Sequence, residues 1–194
     1  MPRKKLIRTN LYYYHITTRS NHKEWFSLPL DKVWLISKNA INKAMKNNPA
    51  IISQFVLMSN HYHLLIKTPN KDIDKFMFWF NKTFSDSLRK ESGQVNRMFG
   101  SSYKWTLIYE YRYLRNVTKY IYQNPLRANI VDKCEDYPYS TLHYLHHHKN
   151  LGFKIESLIN YDDQFSVPMT LNEINEVRSG LRKTIYKPNS KRNY

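Results

Sequence analysis

His61 and His63 stand at i and i+2 in the run Val56-Leu57-Met58-Ser59-Asn60-His61-Tyr62-His63-Leu64-Leu65-Ile66. The run reads as a tight turn followed by the second strand of a β-hairpin. In a strand that spacing puts both imidazoles on one face, side by side. Two neutral imidazoles aimed at one point make part of a metal site, although surface strands also carry such pairs by chance. Further along, Tyr120 and Asn124 stand at i and i+4 of a predicted helix and share its face. Tyr122 lies about 200° around that helix from Tyr120. An amide oxygen such as that of Asn124 can be the third ligand of a hard divalent cation held by two histidines. A phenol one turn away would reach a phosphate polarised by that metal, and tyrosine is a workable nucleophile on phosphorus. The bland alternative makes Tyr120 a core residue with its hydroxyl at the rim, and Asn124 before Pro125 only a helix stop.

Regular elements must hold these groups in place. Residues 11–18 are aromatic and β-branched and read as a strand. Asp31 can cap a helix running to about residue 47, with Val33, Ile36, Ala40 and Ala44 at helical spacing. Residues 51–58 and 61–67 form the hairpin. Residues 72–91 form a second helix with Ile73, Phe76, Phe80, Phe84 and Leu88 on one stripe, and Gly93 ends it. Residues 103–109 are a fourth strand. The order β-α-β-β-α-β predicts an α+β, ferredoxin-like (split βαβ) antiparallel sheet with helices on one face, leaving the other face for a ligand. A third helix, which would bear the nucleophile, spans residues 113–123 and is stopped or kinked by Pro125. Asn129 suits a left-handed turn position. The chain loosens after Asp132. A last helix starts at the capping box of Thr170 and Glu173, runs to about residue 183 and is followed by a basic tail at 187–192. One domain at 1–150 and a C-terminal helical appendage at 151–194 are expected.

Composition bounds the partners. The chain carries 31 Lys and Arg against 15 Asp and Glu, a formal charge of +16, which attracts polyanions. Its 16 tyrosines add rings on which bases could stack, so single-stranded nucleic acid suits this surface. An AT-rich genome would also explain Lys, Asn and Tyr, though less easily the scarcity of acids. No segment approaches a membrane span, and no secretory leader follows the basic start, so a membrane partner is not expected. The single cysteine, Cys134, excludes an internal disulfide and points to a reducing, cytoplasmic setting.

Two segments resemble a known family. Asn60-His61-Tyr62-His63-Leu64-Leu65 is similar to the N-H-x-H-L-L signature of the single-tyrosine HUH transposases. Tyr120-Ile121-Tyr122-Gln123-Asn124-Pro125-Leu126-Arg127-Ala128 is similar to the Y-I-x-x-N-P-x-R-A signature of their REP-associated tyrosine transposase branch. Tyr14-His15-Ile16-Thr17-Thr18-Arg19-Ser20-Asn21, Tyr103-Lys104-Trp105 and Asp136-Tyr137-Pro138-Tyr139-Ser140 also match, in order and at the family's spacing. The resemblance implies that His61, His63 and Asn124 bind a divalent metal, Mg²⁺ or Mn²⁺, and that Tyr120 is the nucleophile. It implies a substrate of single-stranded DNA carrying a hairpin, cut to leave a 5′-phosphotyrosine and a free 3′-hydroxyl. It implies a bacterial, nucleoid-associated protein acting as a monomer or a homodimer. The chain departs from the pattern with Asn129 for a frequent Gly, Ser102 for a frequent Arg, and Tyr139 for a more usual Trp.

Candidate phosphate contacts are Arg19, Lys104, Arg112, Arg115, Lys119 and Arg127. The patch of His143, His146, His147 and His148 is expected to do nothing catalytic, and Trp25, Phe26 and Trp105 are expected at the core or its rim. A DNA strand transferase is therefore the first reading. A domesticated DNA-binding or regulatory protein of the same fold is the second. An RNA-binding module is the third, disfavoured because the glycine-aromatic strand signature of RNA-recognition motifs is missing.

Overall fold

Period-two alternation along four strands divides the buried side chains between two faces of one sheet. The computed structural model describes residues 5–95, 98–158, 165 and 167–187. The strands are β1 (Tyr13–Arg19), β2 (Ile51–Leu57), β3 (His61–Lys67) and β4 (Lys104–Ile108). They lie in the order β2-β3-β1-β4, every neighbouring pair antiparallel, which is the expected α+β, ferredoxin-like arrangement.

Tyr14, Ile16, Phe55, Tyr62, Leu64 and Ile66 point to the first face, which α1 (Leu30–Asn47) and α2 (Ile73–Ser92) cover. The α2 stripe of Ile73, Phe76, Phe80, Phe84 and Leu88 is fully buried there. Truncating one such phenylalanine to alanine costs about 3–5 kcal/mol. The Tyr62 hydroxyl donates to Asn81 Oδ1 at 2.7 Å, so this ring is locked by packing and by one buried hydrogen bond. Gly93 takes the left-handed conformation that closes α2, at φ 70°. The N-terminus of α1 differs from expectation. The helix starts two residues earlier, with Pro29 at the cap position and no side-chain cap. Asp31 lies within the first turn, where its charge faces the positive end of the helix.

Tyr13, Val56, Leu65 and Ile108 point to the second face and form a separate apolar cluster. Apolar side chains there need cover, so this face is only partly free for a ligand. The cover is α3 (Tyr111–Tyr122), the short α5 (Thr141–His146) and α6 (Leu171–Gly180). Leu114, Val117 and Ile121 of α3 meet Ile174 and Val177 of α6 in this cluster, together with Phe165, Met169 and Tyr186. Gln123 fastens the later chain: its Nε2 donates to the carbonyls of Phe165 and Val167 at 2.7 and 2.6 Å, and its Oε1 accepts from Met169 N at 3.0 Å.

The segment after α6 runs beside the edge of β4. Leu107 N donates to Thr184 O at 2.9 Å, and Tyr186 N donates to Leu107 O at 2.8 Å. The β2 edge is met in the same way by Tyr139 and Glu156. Open edges invite pairing with other chains, and both are blunted here. α6 follows the Thr170–Glu173 capping box as expected, ending at Gly180. The basic tail beyond Lys187 lies outside the described residues.

Candidate active site

The β1–β3 register builds the first half of the site. Thr17 pairs with His63, and Arg19 with His61, so these four residues share the second face, along with His15 two positions before Thr17. His61 and His63 lie edge to face with ring centroids 5.1 Å apart. Each ring is held through its Nδ1. Asn60 Nδ2 donates to Lys23 O at 2.7 Å, which turns its Oδ1 toward His61 Nδ1, 2.7 Å away. An amide oxygen can only accept, so His61 carries its proton on Nδ1 and keeps its Nε2 lone pair free. His63 Nδ1 lies 2.9 Å from His15 Nε2 in a buried ring-to-ring contact.

Burial holds these rings neutral. It pushes His15 down to about 3. It pushes His61 down to about 4, with the Arg19 charge adding to the effect. His63 falls well below the ordinary imidazole range, chiefly through burial and then through His15 and His61.

The second half comes from the end of α3. Tyr120 is nearly buried, and its ring stands edge-on to His63 with centroids 6.1 Å apart. The helix breaks at Gln123 and resumes as α4 (Asn124–Arg127). Pro125 has no N–H to give the Ile121 carbonyl. Asn124 Nδ2 supplies the missing donor, reaching Ile121 O and Tyr120 O at 3.0 Å each. Both amide hydrogens are thereby turned to backbone, and Oδ1 is the polar edge left over. The helix-stop and metal-ligand readings of Asn124 are therefore compatible. Arg127 lies over the Tyr120 ring, its guanidinium carbon 4.3 Å from the centroid, and its Nη2 donates to Tyr120 O at 2.8 Å. Its Nη1 is buried and, among the described residues, has no hydrogen-bond partner. Burial lowers the Arg127 pKa, Tyr120 opposes that, and the neighbouring Arg178 charge lowers it further.

His15, His61, His63, Tyr120 and Asn124 line one cleft of about 960 Å³. Six cationic side chains also line it (Arg19, Lys23, Lys104, Arg127, Arg178 and Arg182) and, among the described residues, no carboxylate does, so the cleft suits a polyanion. Of the expected phosphate contacts, Arg19, Lys104 and Arg127 are therefore together. Arg112, Arg115 and Lys119 are not among the lining residues, and Arg112 is paired with Glu110 at 2.6 Å. The sequence does not mark Lys23, Arg178, Arg182 or His15 as site residues, and it shows Asn60 only as a turn residue within the His61–His63 signature. For His15 the signal was its position inside a matching segment; for α6 there was none.

A hard divalent cation fits the donor set chemically: two neutral imidazoles and one amide oxygen, with positions left for substrate. Among the described residues no group of three or more His, Cys, Asp or Glu side chains is placed to hold a metal, so any cation rests on that mixed set. The other candidates are structural. Tyr122 is buried with its hydroxyl 3.1 Å from Thr141 Oγ1. Tyr113 packs on Tyr186 at 5.0 Å. His143 is engaged by Glu135 O and Lys149 Nζ. Phe26 is buried and Trp105 is at the rim of the core, where it also lines the cleft; Trp25, against expectation, is 78% exposed and belongs to neither.

Comparison with known proteins follows the same lines. The family model described as "Transposase IS200 like" matches residues 8–124. A Haemophilus influenzae protein assigned to the REP-associated tyrosine transposases is 24% identical over 153 residues, 73% of this chain and 84% of that one. The REP-associated tyrosine transposase of Escherichia coli is 23% identical over 147 residues, 73% of this chain and 81% of that one. A solved structure of a REP-associated tyrosine transposase bound to a REP hairpin shares the fold, with a TM-score of 0.65 at 17% identity over 84% of this chain and 96% of that one. No helix among the described residues is long and apolar enough to cross a membrane.

Proposed function

This chain belongs to the IS200-like transposase family, in its REP-associated tyrosine transposase branch, and from that premise we propose that it is a single-strand DNA endonuclease and strand transferase acting beside a DNA hairpin. One observation carries the reading: Tyr120, His61, His63 and Asn124, brought from separate elements, line one cleft together with six cations and, among the described residues, no carboxylate. The hairpin as partner is supported by the relative whose structure holds one.

Tyr120 is the nucleophile. Its phenolic oxygen forms a bond to the scissile phosphorus as the phosphorus–3′-oxygen bond breaks. The phenol gives up its proton, the departing oxygen takes one up as a 3′-hydroxyl, and a 5′-phosphotyrosine remains. A second 3′-hydroxyl reverses the step and rejoins the strand, so no energy source is needed. Arg127 orients the Tyr120 ring and offers its buried Nη1 to a phosphate oxygen. Arg19, Lys23 and Lys104, with Arg178 and Arg182 from the C-terminal segment, track the backbone. His61 and His63 through Nε2, with Asn124 through Oδ1, would hold Mg²⁺ or Mn²⁺, which supplies Lewis acidity at the phosphate when bound.

Residues 1–150 are taken as the transposase domain and 151–194 as an appendage that supplies one wall. The chain acts as a monomer or a homodimer in the bacterial cytoplasm, at the nucleoid. Incubation with labelled hairpin single-stranded DNA and Mn²⁺ tests the reading. A covalent protein–DNA adduct is expected; tight binding without an adduct would favour the regulatory alternative instead.

A further inference from the structure

His15 sits two residues from Thr17 on β1, is 4% exposed, and has a ring nitrogen 2.9 Å from a ring nitrogen of His63. The rings are stacked at 5.2 Å with an interplanar angle of 24°. A nitrogen-to-nitrogen contact that short holds one proton between its two ends. Two arrangements are possible for two neutral rings. If His15 donates from Nε2, His63 accepts on Nδ1 and must carry its own proton on Nε2. The nitrogen left to the cleft is then blocked. If His63 donates from Nδ1, His15 accepts on Nε2, and the His63 Nε2 lone pair is open. Asn60 imposes the same Nδ1–H tautomer on His61 with an acceptor that cannot reverse. His15 is the counterpart for His63, but it reaches across from another strand, 48 residues away.

Packing alone does not account for an imidazole here. A buried leucine or phenylalanine would fill the same space without a polar atom to satisfy. The two nitrogens instead satisfy each other at the edge of the cleft, which both rings line.

We propose that His15 is a positioning residue that accepts the His63 Nδ1 proton, fixing ring orientation and tautomer so that Nε2 faces the cleft as a ligand atom. The role rests on the metal reading given above, and it is confined to His63. It has a direct consequence for substitutions: an acceptor at position 15 is required, whereas a ring is not.

Isothermal titration of the full chain with Mn²⁺ alone, without DNA, tests this. Removing a partner that orients a ligating histidine lowers metal affinity by about 10–100-fold. His15→Leu is expected to show that loss with its melting transition intact, and His15→Gln, whose amide oxygen can accept, is expected to recover most of it. Wild-type affinity in a folded His15→Leu, or a His15→Gln as weak as His15→Leu, would overturn the role. Long-range ¹H–¹⁵N spectra of the wild-type imidazoles give a second measurement that needs no variant. A proton on His63 Nδ1 and none on Nε2 is expected, and the opposite tautomer would overturn the role. If the wild-type chain itself binds no Mn²⁺ but still forms the DNA adduct, the metal site fails and the role of His15 with it, while the tyrosine chemistry stands.

Discussion

Asn60 ties two segments with one amide: its nitrogen to Lys23 O, its oxygen to His61 Nδ1. Asn60→Ala removes the acceptor that faces that ring nitrogen, and Mn²⁺ affinity should fall about 10–100-fold. Calorimetric titration checks this; unchanged affinity would mean that His61 is not a ligand or needs no orientation. Asn60→Asp keeps the acceptor and should bind at least as tightly. That these four candidates could meet was legible in the sequence, because His61 with His63, and Tyr120 with Asn124, are each local pairs whose spacing defines a shared face, and all four line one cleft. The groups that orient them were not. The contact between His15 and His63 depends on the β1–β3 register, and the role of Asn60 depends on where the loop around Lys23 passes. Neither is written in a single segment. Sequence reading took Asn60 for a turn residue, which it is, without seeing that its side chain was also engaged.

The strands, α1, α2 and α3 lie within a few residues of their expected positions, since each combines a clear period with a clear stop. Gly93 and Asn129 both adopt positive φ, at 70° and 52°, where glycine and asparagine are tolerated. The placement of α6 was not legible. Its capping box announces a helix, but nothing local says which surface the helix covers. That surface is set by distant partners: Gln123 on the loop before the helix, and Thr106 and Leu107 on the chain after it. Gly180 is where the fit is tightest. A Cβ there would lie 2.6 Å from the Tyr186 ring, so one of the two must move. Gly180→Ala should therefore destabilise the protein by about 1–3 kcal/mol, the usual range for overpacking. The same shift displaces Arg178 and Arg182, so hairpin binding should weaken as well. Chemical denaturation with a parallel binding titration measures both, and a variant with wild-type values in each would show that the α6 wall is not held by this contact.

At the scale of the whole molecule the two sheet faces divide the work. One is sealed by α1 and α2 and carries stability; the other is sealed by α3, α5 and α6 except at the start of β3 and the end of β1, where the cleft opens. The formal charge of +16 was legible, but not that six cations would converge on one cleft. Their convergence predicts salt-sensitive binding. Each phosphate neutralised on a single strand contributes about −0.7 to the log–log slope, so four such contacts give about −3. Arg178→Gln with Arg182→Gln should flatten the slope by about 1.4 and weaken binding across sequences alike, read by titration at several salt concentrations. An unchanged slope would remove α6 from the DNA path. The central claim, that the molecule joins itself to DNA through Tyr120, is tested by one comparison: full-length wild type, Tyr120→Phe and Tyr122→Phe, each incubated with labelled hairpin single-stranded DNA and Mn²⁺ and run on a denaturing gel. Wild type and Tyr122→Phe should carry the label covalently, while Tyr120→Phe should bind the DNA and carry none. An adduct that persists in Tyr120→Phe and is lost in Tyr122→Phe would contradict the account.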